Sequence, residues 1–429
     1  MSPTHGSVRS AARARRISRW SRSEHRPCSS TDLFTEREMT NTVVIIGSGM
    51  AGYNLARELR RSGSDRPIVV VCNDAGAAYL KPQLSNALSS GKSAEQLISQ
   101  QASALAEQIG ITIHPSTNVT RVDVASREVH CEAEAGPFSI GYADLVFATG
   151  ARPNALAVEI DGSPWIRSVN HLEDFRALHE RARTARAAVV VGAGLIGVEL
   201  ADDMAKHGLA THLISVDPMP LARLLPAAAQ TYLRDCLTGN GIQFHGGTTV
   251  ARITETSDGC ANVLLTQGAT LAADLIVIAT GLSPRIDLAT SAGLAVDRGI
   301  VTDEFLQTSN ERVYAIGDCA AVQGQVQMFV APLLQQARAL AKTLAGERTS
   351  VRYQTTAIAV KSGSCPVRVV APAPVTTGEW IADGIESGMQ LRFVDDVGIV
   401  RGFAALGAAS ANTASLIKQL GTSMAERHA

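Results

Sequence analysis

Aromatic residues are scarce: Phe, Trp and Tyr make up 4% of the 429 residues. The apolar content, 45% of the chain, is mainly Ala, Val, Leu and Ile, and it is accompanied by 36 Gly. Such a mix suits buried parallel strands covered by close-packed helices. Neither sign of charge prevails: the net is -1, which gives no reason to expect nucleic acid or an anionic membrane as partner. No apolar run approaches the roughly 18 residues that a spanning helix needs. The seven Cys (Cys28, Cys72, Cys131, Cys236, Cys260, Cys319, Cys365) show no CxxC and no fourfold set. That excludes an intrinsic iron centre and favours a reducing, cytoplasmic setting. His114, His130, His212 and His245 have no ligand-like spacing, so no metal is expected. The length predicts a soluble protein of about two or three domains.

Residues 1–40 differ from the rest. They are rich in Ser and Arg, with Arg13, Arg15, Arg16, Arg19 and Arg22 close together and no strand pattern. A transit peptide is one reading. The favoured one is a disordered or non-native extension upstream of a start at Met39.

From Thr42 onward the chain is patterned. Thr42–Ile46 is a β-branched run leading into Gly47-Ser48-Gly49-Met50-Ala51-Gly52, then a helix over Tyr53–Arg61 and a second strand over Pro67–Cys72. Strand, GxGxxG turn, helix and strand form the context in which this glycine spacing means dinucleotide binding. Gly47 allows the tight turn, Gly49 lets backbone approach a pyrophosphate, and Gly52 lets the helix lie close to the strand. The helix N-terminus offers free N–H groups and a positive dipole end. The pattern recurs: Ala187–Val191 runs into Gly192-Ala193-Gly194-Leu195-Ile196-Gly197, with a helix to about His207 and a strand over Thr211–Ser215. Two fingerprints imply two dinucleotides, a flavin and a nicotinamide. Leu145-Val146-Phe147-Ala148-Thr149-Gly150 and Leu275–Gly281 are buried-strand runs that both end in Ala-Thr-Gly. Val313–Asp318 is a strand ending in Gly-Asp, ahead of an apolar helix from about Pro332 to Ala345.

The order GxGxxG, ATG, GxGxxG, ATG, GD resembles the two-dinucleotide-binding-domain flavoproteins over about residues 42–350. The resemblance implies an α/β fold of two Rossmann-like domains, with residues 41–153 and 283–350 binding FAD and an inserted NAD(P)H domain over 154–282. The disulfide reductases of that family carry a CxxxxC redox pair where this chain has Tyr79-Leu80-Lys81-Pro82-Gln83-Leu84-Ser85. Electrons must therefore leave the flavin directly. Ferredoxin reductases of oxygenase systems usually read YxRPPLS here, whereas rubredoxin and flavorubredoxin reductases read YxKPxLS, which Lys81 follows. Residues 351–429 predict a small α+β domain. Its strands lie over Tyr353–Lys361 and near Pro366–Val370, Glu379–Ile381, Gln390–Val394 and Ile399–Ala405, and its helix near Asn412–Leu420. Lys361-x-x-x-Cys365-Pro366 and Gly402-Phe403-Ala404 are similar to the C-terminal domain of rubredoxin reductases.

Site residues are implied by that resemblance. Lys81 is expected near the flavin ring, where a cation favours the reduced form, and paired with Glu199 just after the second fingerprint. Asp318 is expected on the FAD ribityl hydroxyls, with a plain helix cap as the alternative. Ser48, Gly49, Met50, Ala51, Cys72-Asn73 and Val119 are expected to touch FAD, as are Ala148, Thr149 and Gly150. Val330 and Lys361 are implied to reach the flavin. The usual acidic ribose ligand is replaced by Cys72-Asn73-Asp74, leaving either Asn73 or Asp74 for the role. The nicotinamide module, with Gly192, Gly194 and Gly197, has Ser215 there and Asp217 two residues later. No adjacent Arg awaits a 2′-phosphate, so NADH is favoured over NADPH. The function implied is transfer of electrons from NADH through FAD to rubredoxin. A ferredoxin reductase of an oxygenase system and an NAD(P)H-sensing flavoprotein are the alternatives.

Overall fold

The computed structural model describes residues 41–383 and 388–423. The extension expected over residues 1–40 lies outside them.

Val43–Ile46 and Ile68–Val71 are buried at every position, as apolar runs without alternation must be when both faces of a sheet are covered. They sit in a five-stranded parallel sheet ordered Val313–Ala315, Asp144–Phe147, Val43–Ile46, Ile68–Val71, Thr112–His114. A second parallel sheet runs Ile166–Arg167, Leu275–Ile278, Ala187–Val191, Ala210–Ser215, Gln243–Gly246. In both, the fingerprint strand is central and the strand order reverses beside it, where α/β sheets open a crevice for ligands. Each parallel sheet is also backed by a smaller one, antiparallel in the first case and mixed in the second, where Glu159–Asp161 pairs parallel with Val250–Glu255. Asn118–Asp123, Glu128–Ala133 and Gly136–Gly141 add Val122, Val129 and Ile140 to the first core. Val250–Glu255, Ala261–Leu265 and Thr270–Ala273 add Ile253, Val263 and Leu271 to the second sheet's face.

The strand Val313–Ala315 returns to the first sheet after the whole second sheet has been formed. The chain leaves and re-enters through one two-stranded ribbon, Ala151–Pro153 against Leu282–Pro284, with Ala151 opposite Pro284 and Pro153 opposite Leu282. Thr149 and Gly150 fasten its base: Thr149 Oγ1 donates to the Arg285 carbonyl at 3.1 Å, and the Arg285 N–H donates to the Gly150 carbonyl at 2.9 Å.

The last unit is an antiparallel sheet ordered Ile358–Val360, Val367–Val370, Val400–Leu406, Met389–Asp395, Gly378–Asp383, followed by a helix over Thr413–Gln419. The strand expected over Tyr353–Lys361 is confined to its end, Ile358–Val360. The hairpin between the two long strands closes on Asp395, whose carboxylate accepts from the Val397 and Ile399 amides at 3.2 and 2.8 Å, while Gly398 takes φ +83°. This sheet shares a core with the rest: Leu84, Leu88, Phe175, Val198, Val360, Cys365 and Leu391 belong to one buried cluster.

Candidate active site

The glycines of the two fingerprints divide their work in the same way. Gly47 and Gly192 take φ +118° and +110°, where side chains are rarely tolerated, and a Cβ on either would overlap the carbonyl oxygen of Ala148 or Ala279. A Cβ on Gly52 or Gly197 would overlap the carbonyl oxygen of Gly47 or Gly192. Gly49 and Gly194 meet nothing within 4 Å. The first and third glycines therefore pack the turn, while the second faces open space. Behind it, helices Met50–Arg61 and Leu195–His207 start with no side-chain cap and no acidic residue in the first turn. Their N–H groups suit a pyrophosphate. The cradle fits a dinucleotide in both places.

Ser48, in the first turn, donates to Asp74 Oδ1 at 3.0 Å, and the same oxygen accepts from the Gly76 amide at 2.9 Å. Asp74 thus ties the fingerprint to the end of the second strand, and Asn73 beside it is exposed. Cys72 is buried, with its amide donating to the His114 carbonyl at 3.0 Å. Val119 is half-buried on the neighbouring antiparallel sheet and packs against the first core.

Lys81 opens a short 3-10 turn, Lys81–Gln83, at the far end of this module. Burial pushes its ammonium below the usual lysine range, opposed by the nearby Asp318 carboxylate and reinforced by the Arg285 guanidinium. Asp318 shows the mirror image: burial raises its carboxyl above the usual range and Lys81 pulls it back. Among the described residues no side chain or amide donates a hydrogen bond to the Asp318 carboxylate. A half-buried acid with a lysine nearby and unused acceptors fits a ligand rich in hydroxyls. Gly317 before it, at φ +75°, is fixed by its amide donating to Gln336 Oε1 at 2.7 Å. Val330, expected at the flavin, is the first residue of the uncapped helix Val330–Leu344, which packs on Met50–Arg61.

The expected Lys81–Glu199 pair is absent. Glu199, 3% exposed, is instead bound to Lys361, whose Nζ donates to Oε2 at 2.5 Å and whose amide donates to Oε1 at 2.7 Å. Ser85 Oγ also donates to Oε2 and accepts from Lys361 Nζ at 3.3 Å. The physical reason is directional: Lys361 arrives from the C-terminal sheet with two donors aimed at one carboxylate, whereas Lys81 is drawn to Asp318. A buried carboxylate needs such compensation.

Glu199 is one of three buried acids on helix Leu195–His207. Asp203 accepts from the Leu88 and Ser89 amides at 2.8 and 3.1 Å and from Ser89 Oγ at 2.5 Å. Asp202 accepts from the segment after Lys361. Ser85 entered the sequence reading only as the last residue of the YxKPxLS stretch, with no role given to it, and these two acids did not stand out. The signal was available, however, because Glu199, Asp202 and Asp203 share one side of a helix that is otherwise apolar over Leu195–Ala205. At the other fingerprint's second strand, Ser215 is buried and Asp217 is joined by Arg223, Nε to Oδ2 3.6 Å. Arg223 was missed because it lies six residues further on.

Comparison with known proteins agrees with this geometry. Residues 41–363 match the family profile described as pyridine nucleotide-disulphide oxidoreductase, and residues 350–420 match that described as rubredoxin binding C-terminal domain. The chain is 42% identical over 370 residues to a rubredoxin-NAD(+) reductase of Acinetobacter baylyi, covering 85% of this chain and 94% of the relative. It is 35% identical over 391 residues to a nitric oxide reductase FlRd-NAD(+) reductase of Aeromonas hydrophila, covering 91% and 99%. Among solved structures, the ferredoxin reductase for the CYP199A2 system from Rhodopseudomonas palustris superposes with a TM-score of 0.80 at 26% identity, covering 89% of this chain and 96% of that one. The profile match over residues 41–363, together with the 42% identity, shows that this chain belongs to the pyridine nucleotide-disulphide oxidoreductase family.

Proposed function

We propose that this protein takes a hydride from NADH onto bound FAD and passes the electrons on to rubredoxin. The observation that carries the reading is Lys361. It belongs to the segment matched to rubredoxin binding, yet it is bonded to Glu199 and Ser85 at the junction of the two cradles. A carrier docked on that segment would lie beside the electron source. Bound FAD supplies the change from two-electron to one-electron chemistry, and the protein supplies alignment and electrostatics. The amides of Gly49, Met50 and Ala51 hold its pyrophosphate, Asp318 its ribityl hydroxyls, and Lys81 and Lys361 its ring. Gly192, Gly194 and Gly197 receive NADH. Among the described residues no helix is long and apolar enough to cross a membrane, and the scattered thiols fit a cytoplasmic setting.

A ferredoxin acceptor is the second reading, favoured by the superposition on a ferredoxin reductase. Stopped-flow reduction of the FAD-loaded protein by NADH, followed by mixing with oxidised rubredoxin, a flavorubredoxin or a plant-type ferredoxin, separates the readings. We expect rubredoxin to reoxidise the flavin fastest. A preference for ferredoxin would move the chain to the oxygenase reductases, and slow transfer to all would favour an NAD(P)H sensor.

A further inference from the structure

Asp202 touches neither cradle, although it is 2% exposed and each of its oxygens accepts hydrogen bonds. Its Oδ2 accepts from the Gly363 amide at 2.6 Å and the Ser364 amide at 3.2 Å, with Lys206 Nζ 3.3 Å away. Its Oδ1 accepts from Asn240 Nδ2 at 2.9 Å and from Ser364 Oγ. The donors come from three places: its own helix, the end of the next helix of the same module, and the turn after Lys361. That turn is further knit by Ser362, which contacts Ser364 Oγ at 3.2 Å and accepts from the Cys365 amide at 3.3 Å. The Gly363 backbone lies directly against the Lys206 ammonium, beside the Asp202–Lys206 pair.

Glu199 and Asp202 are three apart on helix Leu195–His207 and so share a face. Glu199 holds Lys361 itself, and Asp202 holds residues 363 and 364. Attachment at one carboxylate alone would let the strand end pivot about the Glu199 bonds. Attachment at two, one helical turn apart, fixes its direction and with it the path of the Lys361 side chain.

We propose that Asp202 is a positioning residue: by fastening the Gly363–Ser364 turn to helix Leu195–His207 it sets where the Lys361 ammonium lies, and thereby how readily the bound flavin is reduced. This role rests on the proposed function, in which Lys361 reaches the flavin. A cation held near the ring favours the reduced, electron-rich form, so a displaced cation disfavours it.

The test is a double-mutant cycle on the FAD-loaded enzyme, read as the flavin midpoint potential against a reference dye, with the NADH reduction rate measured alongside. Lys361→Met is expected to shift the reduction equilibrium about tenfold toward oxidised flavin, which for two electrons is about 30 mV. Asp202→Ala is expected to shift it in the same direction, and the double variant no further than Lys361→Met alone. If Lys361→Met leaves the potential unchanged, the placement of Lys361 at the flavin fails and the inference falls with it. If Lys361→Met shifts it while Asp202→Ala does not, or the two shifts add in full, that placement stands and the role of Asp202 is overturned. Should Asp202→Ala not retain FAD, Ser364→Ala, which removes one donor and leaves the acid, takes its place in the same cycle with the same criteria.

Discussion

Burial shifts both Lys81 and Asp318 toward their neutral forms, and each is opposed by the other's charge. The folded carboxyl of Asp318 lies above its ordinary range, so its stabilising contribution is complete below the unfolded value and is lost as pH rises through the folded one. The folded ammonium of Lys81 lies below its ordinary range, so its contribution is present above the unfolded value and is lost as pH falls through the folded one. Burial penalises the charged form of both, a cost that a bound ligand would offset. Asp318→Asn apoprotein should therefore gain stability relative to wild-type apoprotein as pH rises from about 4 to 7, as followed by urea midpoints, because only the wild type has the carboxyl to ionise. The same variant should hold FAD more weakly in equilibrium dialysis. A midpoint difference that narrows with pH would refute the burial argument. Arg223 gives a second prediction at this scale. It is occupied by Asp217, and Asp217→Ala releases a guanidinium beside the cradle for NADH. The ratio of kcat/KM for NADPH to that for NADH should rise about tenfold, the scale of one gained charge-assisted contact.

Among the elements, the glycine turns were the most legible in the sequence and the C-terminal docking was the least. A GxGxxG turn is dictated locally: whether a Cβ fits is decided by atoms a few residues away or on the neighbouring strand, so pattern alone places Gly47, Gly52, Gly192 and Gly197. Gly197→Ala would drive a Cβ into the Gly192 carbonyl, with an overpacking cost of about 1–3 kcal/mol. The purified variant should remain yellow, with its flavin absorbance intact, while its KM for NADH rises at least about tenfold. Gly52→Ala should do the reverse and lose FAD. The partner of Glu199 could not be read in this way. Lys361 lies 162 residues along the chain, and the choice between it and Lys81 is made by the packing of the C-terminal sheet rather than by any local spacing. The resemblance supplied both lysines and the glutamate, but three-dimensional packing was needed to say which of them touch. Strand ends were blurred for a related reason: residues 353–357 are uncharged and strand-like, yet no neighbouring strand accepts them, so only Ile358–Val360 pairs.

For the molecule as a whole, helix Leu195–His207 acts as a common anchor. Asp203 holds the Leu88–Ser89 loop of the first module, and Glu199 and Asp202 hold the C-terminal sheet. Asp203→Ala strands a buried Leu88 amide without an acceptor, at a cost of about 1–3 kcal/mol. Calorimetry of the FAD-loaded variant should show a lowered transition that begins to divide into separate steps, while the wild type melts as one; an unshifted single peak would mean that the shared core alone couples the units. The ribbon of Ala151–Pro153 and Leu282–Pro284 carries a different consequence. Its paired strands bring residues 153 and 282 side by side, so everything between them is a cassette whose two ends meet. Such a cassette can be exchanged for that of a relative at two adjacent peptide bonds, leaving the flavin cradle uncut. A lineage can thus acquire a new electron donor by recombination, provided the incoming cassette keeps the acids at 199, 202 and 203 that hold the other two units.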